Sequence, residues 1–274
     1  MKKSLKRILS MLLVLAMFTG FSIPGYAAGS SSYENDIALV WKNFERAEDR
    51  ANTANSQIIN GRLRTVDYLE IIAKELDTDG KKAKSISKIM DNFQEDLDNS
   101  RSEFEQMYLA AYCAVKLLNV IIKERDSSGE YADVAKDLVN ELLDLDAQTS
   151  VTDEKIIWGT YYTMWMLETL ACLLDENGDY ANDIEDIMDT FDREHNDAEY
   201  YSNYVVNGLY RSVELLQIIT TELDPEGDYE EFIEDVMNTM RRNDMKADHV
   251  NNKIANGTYR MVELLQVVAY ECIP

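Results

Sequence analysis

GRLRTVDYLEIIAKELD, residues 61–77, returns four more times without insertion or deletion: AAYCAVKLLNVIIKERD (110–126), GTYYTMWMLETLACLLD (159–175), GLYRSVELLQIITTELD (208–224) and GTYRMVELLQVVAYECI (257–273). Each copy starts 49 residues after the last, at Gly61, Ala110, Gly159, Gly208 and Gly257. A fixed period of about 20 to 50 residues marks a repeat array, in which each unit buries its apolar face against its neighbours. Within the phrase, and in the stretch that precedes it, apolar residues recur at helical spacing. Tyr180, Ile184, Ile187, Met188 and Phe191 form one stripe, and Tyr229, Ile233, Val236, Met237 and Met240 repeat it. The chain therefore reads as all-α, with five tandem 49-residue helical hairpins forming an α-solenoid or a curved helical bundle. The hairpins span 32–80, 81–129, 130–178, 179–227 and 228–274, a single domain over 28–274.

Each hairpin divides into a first helix of about fifteen residues and a second of about 25. Ser100 with Glu103, and Asn196 with Glu199, have capping-box spacing, and Asn243-Asp244 supplies a cap in the last copy. DTDG, DSSG, DENG and DPEG, starting at residues 77, 126, 175 and 224, end the second helix with a glycine able to turn left-handed. Asn-Gly could itself be the turn, but Leu109-Ala110-Ala111 in the second copy is a good helix interior. The second helix is thus expected to run through the glycine. A mid-helix glycine costs about 1 kcal/mol against alanine, so its return in four copies predicts close approach of a neighbouring helix. Tyr112, Tyr161, Tyr210 and Tyr259 are expected at that crossing. Leu69, Leu118, Leu167, Leu216 and Leu265 are expected to set the inner faces.

Before the repeats, Lys2, Lys3, Lys6 and Arg7 precede an apolar run from Ile8 to Phe21, then Pro24, Gly25 and the small pair Ala27-Ala28. This is the layout of a cleavable signal peptide over 1–27, and it predicts a secreted, extracytoplasmic product. No second apolar run of spanning length follows, so no stable membrane anchor is expected. The net charge of −24 is lopsided: residues 28–129 carry 14 basic against 18 acidic side chains, and residues 130–274 carry 9 against 33. Such a field disfavours nucleic acid and favours basic partners. Cys113, Cys172 and Cys272 form no disulfide framework or metal-ligand spacing and read as small apolar fillers.

Catalytic motifs are missing from the sequence. His195 and His249 fall at different places in the repeat, and no phosphate loop, nucleophile elbow or HExxH occurs. The loops at Asp175 and Asp224 resemble calcium loops only faintly, with glycine fourth rather than sixth. No cofactor, metal or enzymatic activity is expected.

One stripe of the second helix stands apart from the apolar pattern. Asn60, Arg64 and Asp67; Asn207, Arg211 and Glu214; and Asn256, Arg260 and Glu263 recur at i, i+4 and i+7, and in the middle repeat these positions are Trp158, Tyr162 and Trp165. Either this face is covered by a neighbouring first helix, or it is a partly wet binding surface with an aromatic centre. The reading adopted is a secreted, non-enzymatic protein that binds an extracellular protein or glycan through that face. Trp158, Tyr162 and Trp165 sit at its centre, with Arg64, Arg211, Arg260, Asp67, Glu214, Glu263, Asn207 and Asn256 around them. The alternatives are a self-assembling surface protein and a glycan-active enzyme of helical-barrel type. Val267, Val268 and Tyr270 leave the last repeat without a polar cap, which predicts self-association there. Five hairpins, one fewer than a six-hairpin toroid, are expected to leave the ring open.

Overall fold

In the computed structural model, which describes residues 32–272, ten helices alternate in length. The shorter ones are α1 (Ser32–Glu48), α3 (Ala83–Asn99), α5 (Glu130–Gln148), α7 (Ala181–Asp197) and α9 (Glu230–Asp244). The longer ones are α2 (Ala54–Leu76), α4 (Glu103–Arg125), α6 (Thr152–Leu174), α8 (Tyr201–Leu223) and α10 (Val250–Glu271). Every long helix runs unbroken through its Gly or Ala, as expected. The signal segment 1–27 lies outside the described residues.

The long helices pack side by side in the order α2, α4, α6, α8, α10, and α10 packs against α2 as closely as any other pair. They form a closed inner ring, and each short helix lies outside, against the long helix that follows it. The expectation of an open array is thus corrected. The reason is visible at the repeated glycines. A Cβ on Gly159 would stand 2.9 Å from the Ala111 Cβ, one on Gly208 2.9 Å from Tyr161 Cδ1, and one on Gly257 2.9 Å from Leu209 Cδ2. On Gly61 it would meet the Thr258 methyl of α10, so the first long helix nests on the last by the same contact. Backbone approach this close turns each hairpin by about a fifth of a circle, and five close the ring.

Closure also covers the end that looked bare. Val267 and Val268 are buried and Tyr270 is half-buried, so the apolar residues that suggested self-association through the last repeat are covered by the first. Trp41 and Phe44 of α1 pack on Tyr259 of α10 at ring distances of 6.3 and 4.8 Å, and Asn251 Nδ2 donates to Asn55 Oδ1 across the same seam. One described helix, α4, is long and apolar enough to cross a membrane, and 67% of that apolar window is buried within the ring.

The axis is filled in layers one helical turn apart. Leu69, Leu118, Leu167, Leu216 and Leu265 form a complete leucine layer, each at most 2% exposed. Ile72, Ile121, Leu170, Ile219 and Val268 continue it. A fully buried leucine contributes roughly 1.5–3 kcal/mol, so these ten positions anchor the ring. On the outer helices the buried stripe is narrow. Ile37, Ile86, Ala135, Ile184 and Ile233 repeat at the same period, as do Phe44, Phe93, Leu142, Phe191 and Met240.

The turns after the long helices obey the expected glycine rule, with Gly80, Gly129, Gly178 and Gly227 at φ between 70° and 85°. The caps of the long helices do not follow expectation. In α4 the cap is Ser102, whose hydroxyl accepts from the Glu105 N–H while Glu105 reaches back to Arg101 N–H, two residues later than Ser100 with Glu103. The α8 cap is Tyr200, and Asn243-Asp244 ends α9.

Two outcomes test the closed ring. Gly208→Ala, which in an ordinary helix interior stabilises by about 1 kcal/mol, should instead destabilise by about 1–3 kcal/mol in urea titration, because its methyl overlaps Tyr161. A circular permutant joining the end of α10 to the start of α1 and opened at Gly178 should fold to the same helicity and melt cooperatively.

Candidate functional site

All five long helices run in one direction, so the ring has an entry mouth, where they begin, and an exit mouth, where they end. The outward side of each long helix faces the short helices, and this is where the predicted stripe lies. Tyr162 is buried at 4% exposure and donates to Glu141 Oε2 of α5 at 3.2 Å. Trp158 and Trp165 are half-buried; Trp165 meets Tyr162 edge-on at 4.9 Å and reaches Phe191 of α7 at 6.3 Å. The aromatic triplet therefore fills a seam between α6 and the helices around it.

The polar triplets occupy the equivalent seams. Asn207 Nδ2 donates to the Phe191 carbonyl and Asn256 Nδ2 to the Met240 carbonyl, both at 2.9 Å, so this asparagine clasps a long helix to the short one before it. Asn60 instead donates to Glu48 Oε1 at 3.4 Å. Each arginine pairs with the acid three residues on: Arg64 with Asp67 at 2.7 Å, Arg211 with Glu214 at 2.8 Å, and Arg260 with Glu263. Glu263 is 3% exposed, and burial pushes its carboxyl up to about 7 despite Arg260; Asp67 rises to about 6 for the same reason, despite Arg64. The predicted residues do not converge on one site. They are distributed around the outer side of the ring, on α2, α6, α8 and α10; Tyr162, Asn207 and Glu263 are buried and the other eight are half-buried.

The stripe opens in one sector. Between the ends of α1 and α9, α10 forms the floor of a cleft of about 370 Å³ lined by Glu48, Gln57, Asn243, Asn252, Asn256 and Arg260. That volume is within the range of about 300–1,000 Å³ usual for small-molecule sites. Amide and charged groups dominate it, while the ring face of Tyr259 is engaged by Phe44 and by the Arg260 guanidinium 4.4 Å from its centroid.

The rest of the entry mouth is different in character. Phe104, Val151, Tyr200, Tyr201 and Met245 are exposed, Tyr200 at 66% and Met245 at 81%. They lie in the junctions leading into α4, α6, α8 and α10 or in the first turns of those helices, four consecutive sectors, whereas the junction into α2, Asp49 to Thr53, is polar apart from Ala51. None of these residues belongs to the stripe. The available signal was large apolar side chains in connections where polar residues are the rule.

At the exit mouth the acidic turns act structurally. Asp224 accepts the Asp228 and Tyr229 N–H groups, Asp175 that of Tyr180, and Asp126 those of Ser128, Gly129 and Ala132. Each carboxylate thus caps the next short helix. The hydrogen bonds hold Asp126 down at about 2. A groove of about 900 Å³ along α8 and α9, edged by the turn into α7, presents Asp179, Glu230 and Glu234 to solvent. Neither histidine joins a catalytic arrangement: His195 shares a 2.9 Å hydrogen bond with the Tyr161 hydroxyl, and His249 occupies the N-cap of α10.

Comparison of the chain with protein-family models, with curated proteins and with solved structures finds no match.

Asp67, Glu263 and Glu271 all titrate above ordinary carboxylates, the last at about 7 through burial beside Asp224 and Asp228. The native state therefore binds their protons more tightly than the unfolded chain does. The stability they contribute is complete below about pH 4 and is lost as pH rises through 6 to 7. The melting temperature should fall between about pH 5 and 8, and Glu263→Gln should flatten the slope; calorimetry across that range checks both.

Proposed function

We propose that the protein is an exported, non-enzymatic binding protein whose partner docks on the entry mouth of the ring. The observation that carries this reading is the gathering of Phe104, Val151, Tyr200, Tyr201 and Met245, all exposed, around four sectors of one mouth. Exposed apolar side chains concentrated on one surface and rimmed by polar groups mark interaction sites, and aromatic side chains dominate the energetics of such contacts. A protein partner fits that surface better than a free sugar. The net charge of −24 favours a partner with basic as well as apolar character. The polar cleft on α10 would take hydrogen-bonding groups at the edge of the same interface. The second helices remain the recognition elements in this reading, through their starts instead of their sides.

Ring closure favours one second reading, a glycan-active helical barrel, because five hairpins do form a toroid. Release of reducing sugar from cell-wall or plant polysaccharide by the mature chain is its test.

For the binding reading, mature protein immobilised against extracellular fractions should retain a partner that Tyr200→Ser combined with Met245→Ser loses, with an unchanged melting temperature. Leu39→Ser, which removes an exposed apolar side chain from outer helix α1, should retain it. Equal capture by all three forms would place the interface elsewhere.

A further inference from the structure

The entry half of the axis is filled differently from the leucine half. At the layer one residue past the repeated glycine, the positions are Arg62, Ala111, Thr160, Leu209 and Thr258. Arg62 is the single charged side chain among them, and it is 8% exposed. One turn nearer the mouth, Ile58, Met107, Ile156, Val205 and Ile254 are all buried and separate it from the entry. One turn deeper lie Thr65, Ala114, Thr163, Ser212 and Met261.

The guanidinium has two protein partners, both neutral. Nη1 donates to the Met107 carbonyl at 3.3 Å and Nη2 to the Thr160 hydroxyl at 2.9 Å. Nε, also buried, has no partner, and among the described residues no carboxylate lies within ion-pair distance of the group. None of the side chains lining the cavity beside it is acidic. Burial lowers its pKa only to about 10, so it stays charged near neutral pH. The backbone offers no compensation either, because all five long helices point their positive ends towards this half of the ring.

A buried charge without a counter-charge costs several kcal/mol even after relaxation, and buried charges are ordinarily paired. Arg64, Arg211 and Arg260, less deeply placed, each have an acid three residues away. Arg62 has a cavity of about 30 Å³ in place of one. About 10–15 Å³ of such space accepts one water, so there is room for a single monatomic or similarly small ion and none for sulfate with a hydration shell. The hydroxyls of Thr65, Thr163, Ser212 and Thr258 donate to carbonyls of their own helices, which leaves the guanidinium as the available donor.

We propose that the axial cavity holds one small monovalent anion, of chloride size, as the counter-ion of Arg62. The ion accepts an N–H left free on Nη1 or Nη2 of the guanidinium and lies against the methyl groups and small side chains of the two surrounding layers. This site is independent of the partner surface proposed above, and its failure would leave that reading untouched.

The test compares thermal unfolding of the mature chain in sodium chloride, sodium bromide and sodium gluconate at matched ionic strength. Both halides should raise the melting temperature over gluconate by roughly 2–4 °C at concentrations several-fold above the dissociation constant. Arg62→Met should abolish the difference between salts, whatever its own melting temperature. Should that variant fail to fold, crystals of the wild-type protein grown in bromide decide the matter: an anomalous peak beside the Arg62 guanidinium supports the site. Identical melting in all three salts, a halide effect that survives Arg62→Met, or a cavity holding only water overturns it.

Discussion

The contact on which the rest of the structure depends is the approach of each long helix to its predecessor at the repeated glycine. A side chain there would meet the preceding helix at 2.9 Å or less in four of the five seams. Close axes on the inside, with full-sized side chains on the outer helices, make each hairpin a wedge. The wedge angle sets how many units complete a circle. Once α10 reaches α2, neither terminal repeat has a free apolar face, and no special capping repeat is needed. The last helix is as buried as the internal ones for this reason, with Val262 and Leu264 at 0% exposure.

Much of this was legible in the sequence because it depends on spacing alone. The 49-residue period gave the hairpins, the apolar positions gave the leucine layer, and glycine after each acidic turn gave the left-handed stops. Closure was not legible. Periodicity states that each unit meets the next in the same way, but the rotation per unit depends on how closely the backbones approach at the Gly61, Gly159, Gly208 and Gly257 contacts, and no residue type encodes it directly. The caps failed for a different reason. Ser100 and Ser102 both precede an acid at the right spacing, Glu103 and Glu105, and only the path of the chain out of α3 selects the second pair.

The conspicuous stripe lost its prominence for a reason that applies to concentric helices in general. A helix in an inner ring has two buried sides, one towards the axis and one towards the outer layer. Polar residues on the second side are therefore no sign of water. Asn207 and Asn256 hold carbonyls of the outer helices, and each Arg–acid pair meets in a half-buried seam, with the Nε groups of Arg64, Arg211 and Arg260 left unbonded. The middle repeat substitutes aromatic bulk for the same job, and Tyr162 still reaches a carboxylate, Glu141. Partner-binding residues must then be sought at the ends of the inner helices, where the outer layer stops. The entry mouth carries the exposed side chains of Phe104, Val151, Tyr200, Tyr201 and Met245, whereas the turns of the exit mouth hold aspartates bonded to backbone N–H groups.

The two halves of the axis place different demands on the fold. Around the leucine layer, five large side chains exclude water and need only shape complementarity. Around the glycines, the helices are so close that large side chains do not fit from every helix of the ring, and Ala111, Thr160 and Thr258 keep that layer small. Five small residues alone would leave a void, with its loss of dispersion contacts. Arg62 reaches into this space from one helix and bonds to two others, α4 through Met107 and α6 through Thr160. A single long side chain thus ties three of the five staves together where glycine has removed the packing that would otherwise do so. Its charge is the cost of that reach, since the guanidinium is the part that forms the bonds. A small anion beside it reconciles the two requirements, by filling the remaining space and by cancelling the charge that makes the bridge.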